Sequence, residues 1–206
     1  MQITGALINM IKPAQIKVWD PLVRFFHWSL ASAFLIAYVT EEDLLSVHTQ
    51  AGYLIAGLLV IRIIWGFIGT HYARFSDFIY SPSTIIHFLK KTLTLRAKRY
   101  LGHNPAGGAM IILMITSLLA TTTSGILLLG AEEQAGPVAH WFTQAGGLWG
   151  KALEELHEFF ANFTLLLVFI HIAGVIVESL IHKENLVSAM LDGFKSADTS
   201  THEESL

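Results

Sequence analysis

The chemistry open to this sequence lies in its histidines, ten among 206 residues. His27, His48, His157 and His171 fall at or inside long apolar stretches. A polar ring in hydrocarbon is costly unless it has a partner, so such positions are expected to do chemical work. His157 and His171 are 14 residues apart. On a helix that is close to four whole turns, which points both rings to one face about 21 Å apart along the axis. One helix then offers two ligands at two depths, and neutral imidazole suits haem iron. Cysteine is absent. That excludes disulfides, thiolate-held iron-sulfur clusters and the Cys-x-x-Cys-His attachment of haem, so any haem would be held non-covalently.

Elements of a particular kind must position these rings. Composition is 53% hydrophobic and 14% charged, with a mean hydropathy of +0.54, which is too apolar for an ordinary soluble domain of this size. Four stretches are long enough to cross a hydrocarbon core, which takes about 20 helical residues. They run roughly over residues 22–39, 47–68, 105–129 and 156–181. The opening MQITGALINMIKPAQ lacks the charged start, apolar core and cleavage site of a signal peptide, so the first membrane helix is expected to act as its own targeting signal.

Charge sets the orientation. Twelve of the thirteen Lys and Arg residues flank one side: Lys12, Lys17 and Arg24 at the first helix, seven more from Arg62 to Arg99, then Lys183 and Lys195. The other side carries Glu41, Glu42, Asp43, Glu132, Glu133, Glu154, Glu155 and Glu158 against Lys151 alone. The positive-inside rule makes the basic side cytoplasmic, with both termini there, in a multi-pass membrane protein. The segment SPSTIIHFLKKTLTLRAKRY opens with a capping serine and mixes apolar with basic positions. It reads as an amphipathic helix on the anionic lipid of the inner leaflet. The expected fold is therefore all-α: a four-transmembrane-helix bundle with two haems in its core and this cytoplasmic helix between helices 2 and 3. Residues 1–195 form one domain and 196–206 a polar tail, with no internal repeat. Nucleic acid has no place among the expected partners.

Alternating topology pairs the histidines. Helix 1 leaves the cytoplasm and helix 4 returns, so His27 faces His171 at an inner site; helix 2 also returns, so His48 meets His157 at an outer one. Cofactor sites in bundles are built in this way from facing helices. Arg62 lies 14 positions past His48, at inner depth on the same helix face, where it could pair with a haem propionate. Arg24, one turn before His27, could do the same. The alternative is that both mark the interface and snorkel to it. Gly52, Gly107, Gly108 and Gly125 could open room for a flat macrocycle, or serve helix contact. His71, His87, His103, His140, His182 and His202 fall in loops or interfaces, where a solvated or interfacial side chain is expected rather than a ligand; His71 is the substitute should one ligand assignment fail.

The segments KVWDPLVRFFHWSL, LLSVHTQAGYLIAGLLVIRIIWGF and LHEFFANFTLLLVFIHIAGVIVESLIHKENLV resemble pieces of the bacterial cytochrome b561 family, which includes the b-type subunits of nickel-iron hydrogenases. The resemblance runs from about residue 17 to 191, and WDPLVRFFHW with His-x13-His is its specific part. Carried over by position, the family's haem ligands fall on His27, His48, His157 and His171. The resemblance implies two haem b groups and quinone as redox substrate; no residue independently marks a quinone pocket. A fifth helix of the kind found in larger hydrogenase-type subunits is not evident. The leading expectation is a di-haem electron carrier between the membrane quinone pool and a redox partner at the outer face, a c-type cytochrome or other redox protein. The alternatives are a self-contained superoxide:quinone oxidoreductase and a haem-free proton or metal transporter. A superoxide enzyme gains from a positive outer funnel, and this outer face is acidic.

Overall fold

Proline and a side-chain cap open three of the helices. In the computed structural model, which describes residues 14–41, 44–142 and 149–197, Asp20, Ser81 and Asn104 precede Pro21, Pro82 and Pro105 and accept the amides of Val23, Thr84 and Gly107. A missing proline N–H costs nothing at a helix start, and the capping oxygen satisfies an amide that has no partner within the helix. The elements are β1 (Gln15–Lys17), α1 (Pro21–Val39), α2 (Leu45–Ile68), α3 (Phe75–Phe78), α4 (Pro82–Leu93), α5 (Pro105–Glu132), α6 (Gly150–His182), α7 (Leu186–Asp192) and β2 (Phe194–Ser196).

Four helices, α1, α2, α5 and α6, are long and apolar enough to cross a membrane. Their outward faces carry Phe25, Leu35, Phe67 and Phe169, each more than 60% exposed, as expected of surfaces meant for lipid rather than water. α5 and α6 run longer than the sequence suggested, to Glu132 and from Gly150. Helical hydrogen bonding does not stop where hydropathy does, and the polar turns stay helical beyond the apolar run. At 33 residues α6 is about 50 Å long, well past a hydrocarbon core of about 30 Å.

The long helices pack in chain order, α1 on α2, α2 on α5 and α5 most extensively on α6. Ala33 and Ala37 of α1 let α2 approach, and with Ala51, Ile55, Leu59 and Leu118 they form the central core. α1 and α6 stand further apart, linked by Tyr38 Oη donating to Asn162 Oδ1 at 3.0 Å. A second core of Val18, Trp19, Val23, Ala73 and Ala189 closes one end. There β1 and β2 pair antiparallel, Gln15 opposite Ser196 and Lys17 opposite Phe194, so the segments before α1 and after α6 meet on one side of the bundle. Asp20 ties this end together: Val23 N donates to Oδ1 at 3.0 Å, and Trp65 Nε1 and Thr70 Oγ1 donate to Oδ2 at 3.1 and 2.6 Å. Burial alone would raise its pKa, but Thr70, the Val23 amide, Trp65 and the Leu22 amide hold it below the ordinary carboxylate value.

α4 is present where the amphipathic segment was expected. Phe88 is its buried anchor, while Ile86, Leu89, Leu93, Lys90 and Lys91 are exposed. Lys12, Glu42, Asp43, His202 and the tail from residue 198 lie outside the described residues.

Candidate functional site

The four histidines meet as two pairs. His48 of α2 and His157 of α6 have ring centroids 5.9 Å apart. His27 of α1 and His171 of α6 lie 6.3 Å apart. Neither pair stacks, with interplanar angles of 80° and 55°. Each gap suits one metal atom between facing ring nitrogens, since a metal–nitrogen bond takes about 2 Å.

The His48/His157 pair, the outer one of the expected topology, is oriented from behind. His48 Nδ1 lies 2.8 Å from the Ala37 carbonyl and His157 Nδ1 2.9 Å from the Thr121 carbonyl. An N–H donated to a carbonyl fixes the tautomer, so Nε2 carries the free lone pair and is the nitrogen left for a metal. Ser124 Oγ adds a contact to His157 Nδ1 at 3.3 Å. Both rings border a cavity of about 680 Å³, counted with its mouth, lined also by Phe34, Tyr38, Gly52 and Leu118. Gly52 has no atom within 4 Å of where a Cβ would sit, so it leaves open space; a Cβ on Gly125 would come within 2.8 Å of the His157 ring. These two glycines open the outer site. Gly107 and Gly108 do other work: Gly107 receives the Asn104 cap, and Gly108 lets α5 pass against the Phe78 carbonyl.

The inner pair lies among cations. Arg62 is 3% exposed, its guanidinium 5.2 Å from the Phe75 ring centroid and 5.8 Å from that of Phe78. Arg24 Nη1 donates to the Leu191 carbonyl. Among the described residues five enclosed side-chain nitrogens lack a hydrogen-bond partner, and Arg24 Nε, His27 Nδ1, Arg62 Nη1 and His103 Nδ1 are four of them. Buried donors without partners are rare, so this concentration at one end of the bundle points to an acceptor group of anionic character. Two haem propionates fit that description, and the donor sets at both levels fit non-covalent haem.

His103 departs from expectation. Its sequence position suggested a solvated or interfacial ring, yet it is enclosed, 4.6 Å from the Trp19 ring and 4.8 Å from that of Phe78. Burial first, then Arg62, Lys195 and His171, push its pKa down to about 3, so it is a neutral imidazole at physiological pH. His182 is also enclosed, at 6% side-chain exposure. His71, His87 and His140 are exposed as expected, and His71 is 3.5 Å from Asp77, away from both pairs. Aromatic residues on either side of α2 and a chain end distant in sequence bury His103; no local signal could have found it.

A membrane bundle with paired imidazoles at two depths defines a class, the multi-pass b-type cytochromes of electron transport. Residues 18–193 match the family described as prokaryotic cytochrome b561. Three relatives each named "Probable Ni/Fe-hydrogenase B-type cytochrome subunit" support the match. The protein of Rhizobium leguminosarum bv. viciae is 26% identical over 89% of this chain and 90% of its own. That of Cupriavidus necator is 25% identical over 87% and 86%, and that of Azotobacter vinelandii 23% identical over 89% and 90%. No solved structure matches. The chain belongs to the prokaryotic cytochrome b561 family.

Proposed function

We propose that the chain holds two haem b groups, an inner one between His27 and His171 and an outer one between His48 and His157, and carries electrons between the membrane quinone pool and a redox partner at the outer face of the bacterial inner membrane. The observation that carries this reading is the pair of facing imidazole couples, the outer two with Nδ1 tied to backbone carbonyls. Among the described residues no group of three or more His, Asp or Glu is placed to hold a bare metal ion; the paired arrangement favours haem over metal transport.

Haem iron supplies a reversible one-electron change, and the chain's own residues set its conditions. The carbonyls of Ala37 and Thr121 keep the outer imidazoles in one tautomer. Arg24 and Arg62 offer the inner propionates charged donors in a site where water is scarce. His157 and His171, 14 residues apart on α6, would hold the two groups at levels about 21 Å apart along the helix. α4 rests its Ile86, Leu89 and Leu93 stripe on the cytoplasmic leaflet, with Lys90 and Lys91 toward anionic headgroups and both chain ends on that side. The relatives' shared name makes a hydrogenase the first candidate for the outer partner, ahead of a c-type cytochrome. A superoxide:quinone oxidoreductase is the second reading, disfavoured by the exposed Glu132, Glu133, Glu154 and Glu158 of the outer face.

Purification from the native membrane tests the proposal. The protein is expected to contain two low-spin bis-histidine haems per chain, both extractable by acid acetone, and to bring a redox partner with it. One haem per chain, or haem that resists extraction, refutes the site assignment.

A further inference from the structure

α6 carries a second pair of titratable side chains on the face that bears the inner ligand. Glu178 and His182 follow His171 by seven and eleven residues, and both offsets return to within about 20° of the His171 direction. Both are enclosed, with side-chain exposures of 13% and 6%. His182 Nε2 lies 3.3 Å from Glu178 Oε2, yet it has no aligned hydrogen-bond partner. Thr92 of α4 donates from Oγ1 to the other carboxylate oxygen at 3.4 Å.

The charged groups packed around this pair come from three elements. Glu184, beyond the end of α6, is held by Arg99 at 2.7 Å and by Lys195 of β2 at 3.8 Å. Lys195 is buried and its pKa is lowered, while Glu184 and Glu178 pull it back. Arg99 and Lys195 thus both stand against Glu184, two residues past His182. A polar pair is expensive to bury without aligned partners unless it has a use. The cluster also extends toward the inner site: the Lys195 ammonium is 5.9 Å from the Trp19 ring, Trp19 packs on His103, and His103 is near enough to His171 to feel its charge.

We infer that Glu178 and His182 form a redox-linked proton site, taking up one proton from the aqueous phase beside the chain ends when the His27/His171 centre gains an electron and returning it when that centre is oxidised. The inference rests on the haem reading above. The electron comes from the redox partner and resides on iron; the proton comes from water and resides on the imidazole–carboxylate pair, so the inner half of the bundle gains no net charge. The spacing supports the coupling. Seven residues separate Glu178 from His171, about 10 Å along the helix, and a unit charge at that range alters proton affinity roughly tenfold at the effective dielectric of protein interiors.

The holoprotein in lipid nanodiscs, titrated spectroelectrochemically between about pH 5.5 and 8.5, the range over which imidazole side chains in general change charge, tests the inference. The haem component that disappears on His27→Ala is expected to have a midpoint potential that falls as pH rises, and the other component to be flat. Glu178→Gln and His182→Gln are each expected to flatten the slope while both haems remain. The redox-difference infrared spectrum is expected to show a deuterium-sensitive carboxyl band that Glu178→Gln removes. A slope unchanged in both variants, or a flat response in the parent protein, overturns the inference. A preparation without a Soret band overturns the haem reading instead, and the spectrum alone separates the two failures.

Discussion

Gly125→Ala isolates the outer site with one methyl group. A Cβ at Gly125 would lie 2.8 Å from His157 Cε1 and 3.1 Å from Nδ1, where carbon contacts settle at about 3.5 to 4 Å. The imidazole must retreat by roughly 0.7 Å or more to reach that range. Such a displacement breaks the 2.9 Å contact from Nδ1 to the Thr121 carbonyl, with a net loss of about 1 kcal/mol. Replacing a helical glycine with alanine returns about the same amount through backbone entropy. Fold stability should therefore change little, while loss of the orienting bond weakens cofactor retention about 10- to 100-fold. Haem-to-protein ratio, with redox titration of the variant in detergent, is the assay. One of the two components is expected to be depleted or shifted, and the other, dependent on His27 and His171, unchanged. If Gly125→Ala keeps both haems at parental content and potential, His157 has room the structure denies it, and the argument that glycine makes way for the ligand fails.

The remaining predictions address the rest of the site. Alanine at His48 or His157 should remove one spectral component and alanine at His27 or His171 the other; loss of the same component with His27 and with His157 would refute the pairing. Arg62→Gln should lower the inner midpoint potential by on the order of tens of millivolts, because a nearby cation stabilises the reduced centre; spectroelectrochemistry reads the shift. Asp20→Ala strands the Val23 amide, Trp65 and Thr70 donors and should cost about 2 to 3 kcal/mol, seen as a lower midpoint in thermal haem release. Since the Asp20 pKa is lowered from 3.8, its contribution is complete above that value and fades as pH falls through the lower folded-state value. Glutamine at Glu154, Glu155 and Glu158 together should slow electron exchange with a cationic partner and weaken its salt dependence; equal rates at low salt would exclude these acids as a docking surface.

The spans and the two histidine levels were legible because both follow from rules of one helix: about 20 apolar residues cross a bilayer, and 14 residues bring a side chain back to the same face. Pairing was legible because crossing the membrane alternates direction. What holds the rings was not. The acceptors of His48 and His157 are backbone carbonyls, which every residue owns, so no side chain announces them. The enclosure of His103 depends on Trp19 and Phe78, residues brought together by the closing end of the bundle. The glycines looked alike as letters, and only the neighbours of each absent Cβ separated Gly125, beside an imidazole, from Gly108, against a backbone carbonyl.

The two-stranded ribbon has a consequence for the order in which the protein is assembled. Gln15 pairs with Ser196, so the latch cannot form until all four long helices and the segment after them have been made. Until then Arg24 lacks the Leu191 carbonyl and Trp28 the Met190 carbonyl that receive them in the finished fold, and the end of the bundle beside His27 stands unroofed. On the haem reading, a porphyrin would then have an entrance during synthesis, which β1, β2 and α7 shut afterwards. A chain ending just before α7 would keep every histidine of both pairs and lose the bolt. Its fault would be one of retention: haem admitted, then released.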